Sequence, residues 1–151
     1  MIEPVVTPDP AAVDAVLALS RLSRIVERAS DELSSADYRV MSAIAGGEAR
    51  ASRLASRLLL GRPTISSTVD SLSKRKLIVK ATVDGDNRAI ALSLSPAGAK
   101  LFARMEGRMV RQLELLAART PNPSQVIESL GWLGDAIEAS MAAHPREGMA
   151  E

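Results

Sequence analysis

The segment from Ala51 to Ser95 admits few folds. It reads as a short helix, a break at Gly61-Arg62-Pro63, a second helix, and two β-like runs joined by Asp84-Gly85-Asp86-Asn87-Arg88. Asp-Gly between runs of this kind is a strong hairpin signal. Two helices joined by a tight turn and followed by a charged ribbon have the layout of a winged helix-turn-helix. Charge is concentrated in the same place. Arg50, Arg53, Arg57, Arg62, Lys74, Arg75, Lys76, Lys80 and Arg88 stand against Asp70, Asp84 and Asp86, a local charge of +6 in a chain of net charge +1. The remainder therefore carries −5. A basic middle between acidic ends points to one polyanion-binding face, with flanks serving another purpose.

At 151 residues, 46% of them hydrophobic, the chain is long enough to bury a core as a single domain, residues 1–151. The expected class is mainly α with a small β-hairpin (α+β). Asp9 and Pro10 read as the N-cap and first position of an opening helix. Val13, Leu17, Leu19, Leu22, Ile25 and Val26 give it an apolar stripe to about Ser30. Ser34 or Ser35 caps the next helix, whose apolar positions are Tyr38, Val40, Met41 and Ile44, and Gly46-Gly47 stops it. The third, Ala51 to Leu59, turns Leu54, Ala55 and Leu58 inward, and the fourth runs from about Pro63 to Lys74. Leu77–Val83 and Ala89–Leu94 are the strands; in the second, Ile90, Leu92 and Leu94 alternate with Ala89, Ala91 and Ser93. Ser95-Pro96 opens a long helix with Leu101, Met105, Met109, Leu113 and Leu116 on one side, ended by Pro121 and Pro123. A last helix runs from Ser124 to about Ala143. Residues 35–95 then form the winged lobe, and residues 9–30 and 96–143 are its flanking helices.

In the helix-turn-helix, Ala55 supplies the small residue where two backbones meet. Ile65 and Val69 can pack on Leu54 and Leu58, with Leu72 extending the buried stripe. Subtracting Ile65, Thr68, Val69 and Leu72 leaves Thr64, Ser66, Ser67, Asp70, Ser71 and Lys74 outward. Short hydroxyl side chains near a helix N-terminus suit a major groove, where they donate or accept at base edges and allow close approach. The open amides there also favour phosphate. On the ribbon, Asp86 and Arg88 share a face, so Asp86 can hold the guanidinium extended, the form a narrow minor groove attracts. One departure is local: Leu59 stands where many helix-turn-helix units have glycine, and Gly61 follows two residues later.

These residues resemble the MarR (multiple antibiotic resistance regulator) family of transcription factors. The resemblance is carried by Leu54-Ala55 with Leu58, Arg62-Pro63-Thr64-Ile65-Ser66, Val69-Asp70-Ser71-Leu72 and Leu77-Ile78. It continues through the wing Asp86-Asn87-Arg88 and Leu92-Ser93-Leu94-Ser95-Pro96-Ala97-Gly98. The flanking helices agree in number and order, so it spans nearly the whole chain. Departures are Asn87 for the first wing arginine, Lys76 where glycine commonly precedes the Leu-Val pair, and Pro63 at the start of the recognition helix. The resemblance implies a homodimer of winged-helix subunits on a pseudo-palindromic operator. Thr64, Ser66 and Ser67 would sit in the major groove and Arg88 in the minor groove, with Arg62, Lys74, Arg75 and Lys80 on phosphates. Pro63, Ser71, Asp86 and Asn87 complete the DNA-binding set so implied. Such proteins commonly repress genes, and many release DNA when a small, often aromatic or phenolic molecule binds between the dimer helices and the lobe. No other cofactor is implied.

Independently of that resemblance, the terminal helices carry more apolar surface than one winged lobe can cover. Leu17, Leu22, Ile127, Leu130, Leu133 and Ile137 are the expected dimerisation residues. Burying such stripes between two copies, at about 25 cal/mol per Å², makes a large obligate interface plausible. Two-fold symmetry would then set the recognition helices about 34–36 Å apart, one duplex turn.

Zero cysteines remove disulfides, thiolate metal sites and thiol switches. The lone histidine, His144, lies near the C-terminus, carboxylates are scattered, and no Gly-rich loop follows a strand. Neither a catalytic nor a metal site is expected. With no signal-like segment at Met1–Pro10 and no apolar run of about 18 residues, a cytoplasmic protein is expected. Tyr38, Phe102 and Trp132 are too few aromatics for a single-strand stacking platform, which leaves double-stranded DNA as the expected partner. The alternative is a winged-helix module that docks on protein without reading DNA; its wing would be apolar or mixed in charge.

Overall fold

The computed structural model describes residues 7–47, 50–58, 60–83 and 86–143. Its elements follow in the order α1 (Pro10–Arg28), α2 (Ser35–Ala45), α3 (Ala51–Leu58), α4 (Arg62–Lys74), β1 (Ile78–Val83), β2 (Asp86–Leu94), α5 (Pro96–Ala117) and α6 (Pro123–Ala143). Local chemistry sets their ends. Asp9 caps α1 by accepting from the Ala11 amide at 3.1 Å. Ser34, not Ser35, caps α2 in a reciprocal box: its hydroxyl accepts from the Asp37 amide, and the Asp37 carboxylate accepts from the Ser34 amide. Past the other end, Gly47 stands at φ 97°, a conformation that a side chain would resist. Ser95 caps α5 by accepting from the Gly98 amide at 2.9 Å.

One core joins the lobe to the long helix behind it. Val40 and Met41 of α2, Leu54 of α3, Leu72 of α4 and Met105 of α5 are fully buried, clustered with Ile65, Val69, Leu77, Ile78, Leu92, Leu101 and Phe102. Ala55 and Leu58 pack against the same cluster, so the α3–α4 crossing closes over the residues that the spacing selects.

The hairpin differs from the alternation reading. β1 and β2 pair antiparallel from Ile78 with Leu94 to Thr82 with Ile90; the register then shifts and Val83 pairs with Asp86. β2 therefore begins at Asp86, three residues before Ala89, because backbone pairing is indifferent to side-chain polarity and a bulge absorbs the extra residues. Arg50 adds an isolated bridge to Ala91. Leu92 is buried, but Ile90, farther out on the ribbon, is 42% exposed. α5 also stops early, at Ala117. The Thr120 hydroxyl donates to the Ala117 carbonyl at 2.7 Å and closes a turn ahead of Pro121. Pro123, whose fixed φ suits a first helical turn, then starts α6 one residue before Ser124.

The α4–β1 corner aims the hairpin. The Leu77 amide donates to the Leu72 carbonyl and the Lys76 amide to Ser73, both at 2.9 Å, with Lys76 at φ 58°. This is a Schellman end in which lysine holds the left-handed position that glycine usually takes. From the other side the Ser95 amide donates to the Leu77 carbonyl at 3.0 Å and its hydroxyl to Lys76 at 2.7 Å. Gly98 then passes so close that a Cβ there would stand 1.9 Å from the Leu77 oxygen.

α1 and α6 contain no buried residue. Both pack on α5, yet Val13, Val16, Leu17, Leu19 and Ile25 on α1, and Ile127, Trp132, Leu133 and Ile137 on α6, are exposed. Leu22 and Leu130 are half-covered. Among the described residues no helix is long and apolar enough to cross a membrane.

Two substitutions test the corner. Gly98→Ala is expected to destabilise by at least about 2 kcal/mol, because the obstructing oxygen is backbone and already bonded. Lys76→Gly is expected to stabilise by up to about 1 kcal/mol through relief of left-handed strain. Urea-denaturation midpoints against the parent chain check both.

Candidate nucleic-acid interface

α4 has two unlike faces. Ile65, Thr68, Val69 and Leu72 are buried, whereas Thr64, Ser66, Ser67, Asp70, Ser71 and Lys74 are exposed. The division follows the helical period, which brings residues three and four apart to one side. Arg62 and Pro63 occupy the exposed first turn. Gly61, the N-cap, has no side chain to accept from the first-turn amides, so the positive end of the helix is open.

The hairpin borders this face. A cleft of about 410 Å³ separates them, lined by Arg62, Ile65, Ser66, Asp70, Lys80 and Ile90 among others. Across it, Lys80 Nζ on β1 meets Asp70 Oδ1 on α4 at 2.5 Å. The Lys80 hydrogen bond and charge, with a lesser contribution from Lys74, hold the Asp70 carboxyl below its ordinary range. The pair is solvated, the Asp70 side chain being 60% exposed and that of Lys80 32%.

Arg75 is placed differently from the other basic residues. At the C-cap of α4, far from Thr64, its guanidinium donates to the Glu32 carbonyl at 2.6 Å and to Asp37 Oδ2 at 3.3 Å. Arg104 and Arg108 of α5 reach the same α1–α2 connection through Glu32 at 2.7 Å and Asp31 at 2.8 Å. Three arginines thus clamp the connection between α4 and α5. The reading from sequence missed this clamp; its signal was Arg104 and Arg108 one helical turn apart, matched by the adjacent acids Asp31 and Glu32.

Behind the face, Tyr38 of α2 stacks on Phe102 of α5 with ring centroids 5.5 Å apart and donates to Glu106 Oε1 at 3.1 Å. Burial first, then the Glu106 charge and hydrogen bond, push the phenol up to about 12. Asp86, Asn87 and Arg88 lie at the start of β2. The Asp84-Gly85 turn, the Asp86–Arg88 side-chain pairing, Leu59 and His144 lie outside the described residues. Among the described residues no group of three or more His, Cys, Asp or Glu could hold a metal ion.

The model of the MarR family matches residues 31–89, from the clamped connection through α4 into β2. Over those residues the winged-helix lobe is similar to the MarR family. Solved MarR-type structures share its fold well beyond the lobe. Apo MarR of E. coli is 12% identical with a TM-score of 0.70, covering 87% of this chain and 98% of that one. A mutant MepR of S. aureus bound to an oligodeoxyribonucleotide is 13% identical with a TM-score of 0.60, covering 86% and 99%. The PcaV transcriptional regulator of Streptomyces coelicolor, in complex with its natural ligand, is 22% identical with a TM-score of 0.63, covering 89% and 100%. No curated protein matches the chain. In this lobe, the left-handed backbone at Lys76 gives a physical reason for the glycine that the MarR resemblance leads one to expect at that corner.

Tyr38 offers a direct check on the α2–α5 brace. Its folded value lies above the ordinary 10.0, so the neutral phenol favours the folded state; that contribution is whole below pH 10 and fades as pH rises toward 12. Because it is the sole tyrosine, phenolate absorbance should titrate near 12 in the folded chain and near 10.0 in urea. Glu106→Gln should lower the folded midpoint.

Proposed function

We propose that this chain is a homodimeric, sequence-specific DNA-binding transcriptional regulator, a repressor that a small aromatic or phenolic molecule releases from its operator. The observation that carries the reading is the outer face of α4, where Thr64, Ser66, Ser67 and Ser71 are exposed opposite a buried side. Thr64, Ser66 and Ser67 meet base edges in the major groove, with Ser71 one turn farther along the helix. Arg62, beside Pro63 at the open helix end, and Lys74 follow phosphates. Arg88, supported by Asp86 and Asn87, enters the minor groove. Lys80 adds to the phosphate set from β1. Arg75, turned toward Glu32 and Asp37, contributes less to that set than Arg62 or Lys74.

The dimer reading is supported by the uncovered apolar residues of α1 and α6. Leu17, Ile127, Leu133 and Ile137 are exposed in the single chain, and a second copy laid on them with Leu22 and Leu130 would remove them from water. Residues 9–30 and 96–143 are then the dimerisation helices and residues 35–95 the reading lobe. The likeness in fold to PcaV, solved with its natural ligand, supports a small-molecule effector between the terminal helices and the lobe.

Selection from a random duplex pool should return a pseudo-palindrome with half-sites one helical turn apart. On the selected duplex, Arg88→Ala is expected to weaken binding by about 1–3 kcal/mol, and Ser67→Arg to weaken it more or to change the preferred base. An Arg88→Ala isotherm that overlays the parent's would remove the wing from the reading. Trp132, the sole tryptophan and 61% exposed in the single chain, reports the dimer. Its emission should shift to the red on dilution as sedimentation falls from two chain masses to one; a monomer at micromolar concentration would overturn the dimer.

A further inference from the structure

Asp70 is the lone carboxylate on α4, and it stands near the middle of the reading face. At about 100° per residue it falls between Ser66 and Ser67 in angle, one turn farther along. A carboxylate there is costly for a helix that must approach phosphates, since sequence-independent DNA affinity comes almost wholly from positive charge. Folding does not account for it: the side chain is largely exposed, and an exposed ion pair adds little to stability. The geometry of the pair suggests another purpose. Lys80 Nζ holds Oδ1, which fixes the carboxylate on the helix and leaves Oδ2 to accept from a further donor. In the major groove the exocyclic amine of cytosine is the donor that a carboxylate matches; guanine and thymine present acceptors that repel it, and adenine flanks its own amine with the N7 acceptor.

We infer that Asp70 is a specificity-determining residue that selects one cytosine in each half-site by accepting from its exocyclic amine. Lys80 positions it and offsets its charge. The inference rests on the DNA-reading function proposed above and extends it to a residue that the hydroxyl face alone does not explain. A matching cytosine compensates for the negative charge that binding would bury, whereas guanine and thymine set acceptors against it and adenine sets its N7 acceptor beside its amine. Asp70 thus weakens binding to random sequence more than binding to the operator.

The test is selection from a random duplex pool, about 30 base pairs long, with the full-length parent, Asp70→Asn and Lys80→Met, followed by titration of each protein on selected and random duplexes. The parent should select cytosine at one position in both half-sites. Asp70→Asn should lose that position while keeping the others, bind random duplex several-fold more tightly, and lose about tenfold in its preference for the selected site. Lys80→Met should keep the cytosine but with a weaker preference for it, bind every duplex more weakly, and show a salt slope shallower by about one unit. A parent that binds no duplex overturns the DNA-reading function itself. If the parent selects a site and Asp70→Asn selects the same one, cytosine included, this inference alone fails. Cytosine kept by Asp70→Asn but lost by Lys80→Met would assign the reading to Lys80 and equally overturn it.

Discussion

The reading face depends on a contact between two stretches of backbone, where Gly98 at the start of α5 presses on Leu77 at the mouth of β1. The Leu77 carbonyl accepts from the Ser95 amide, and no Cβ fits between it and Gly98. Behind that contact, the left-handed turn at Lys76 delivers the chain from α4 into β1, and the Ser95 hydroxyl holds the Lys76 carbonyl. Because the atoms involved are main chain, the angle between α4, the hairpin and α5 is insensitive to most side-chain changes nearby. The cleft across which Asp70 meets Lys80 inherits its width from this corner.

A second connection runs through charge. Arg75 from α4 and Arg104 and Arg108 from α5 converge on residues 31–37, and Asp37 serves both as the capping acceptor of α2 and as a partner of Arg75. The two outer pairs are each half-solvated, and such pairs individually contribute about 1 kcal/mol or less. Asp37 is the exception: it is buried, and removing Arg75 would leave a carboxylate short of a donor. Local charge counting is thereby qualified. Arg75 belongs by sequence to the basic window, but its charge is turned inward to an acid outside that window.

What could be read in the chain without coordinates was whatever is decided within about one helical turn. Asp9, Ser95 and the split of α4 into hydroxyl and apolar sides all follow from interactions three or four residues long. Ser34 and Ser35 could not be separated by type alone; the reciprocal bond from Asp37 decides between them. The start of β2 was hidden because pairing across a bulge is set by partner backbone, whereas alternation reports only side-chain burial. Ile90 continues the apolar alternation but lies where the ribbon has left the core, a matter of three-dimensional reach. The arginine clamp was least legible: Arg104 and Arg108 find acids 72 and 77 residues earlier, and nothing in local spacing chooses among the available carboxylates.

The terminal helices extend this argument to the whole assembly. α1 and α6 are 19 and 21 residues long and bury nothing within the chain. Most helical stability in proteins comes from packing away an amphipathic face, so their exposed apolar side chains call for a cover. Under the proposed homodimer, that cover is the same pair of helices from a second copy. Force applied there has a short route to the DNA side: α6 and α1 pack on α5, and α5 enters the lobe at the Ser95–Gly98 corner and again at the arginine clamp. Both junctions tie α5 to the elements around the reading face, one through backbone contact and the other through charges on separate elements. A molecule wedged among the terminal helices would therefore move each lobe as a body. It would act on the distance between the two copies of α4, which must match one turn of duplex, while leaving the Thr64–Ser67 face itself intact.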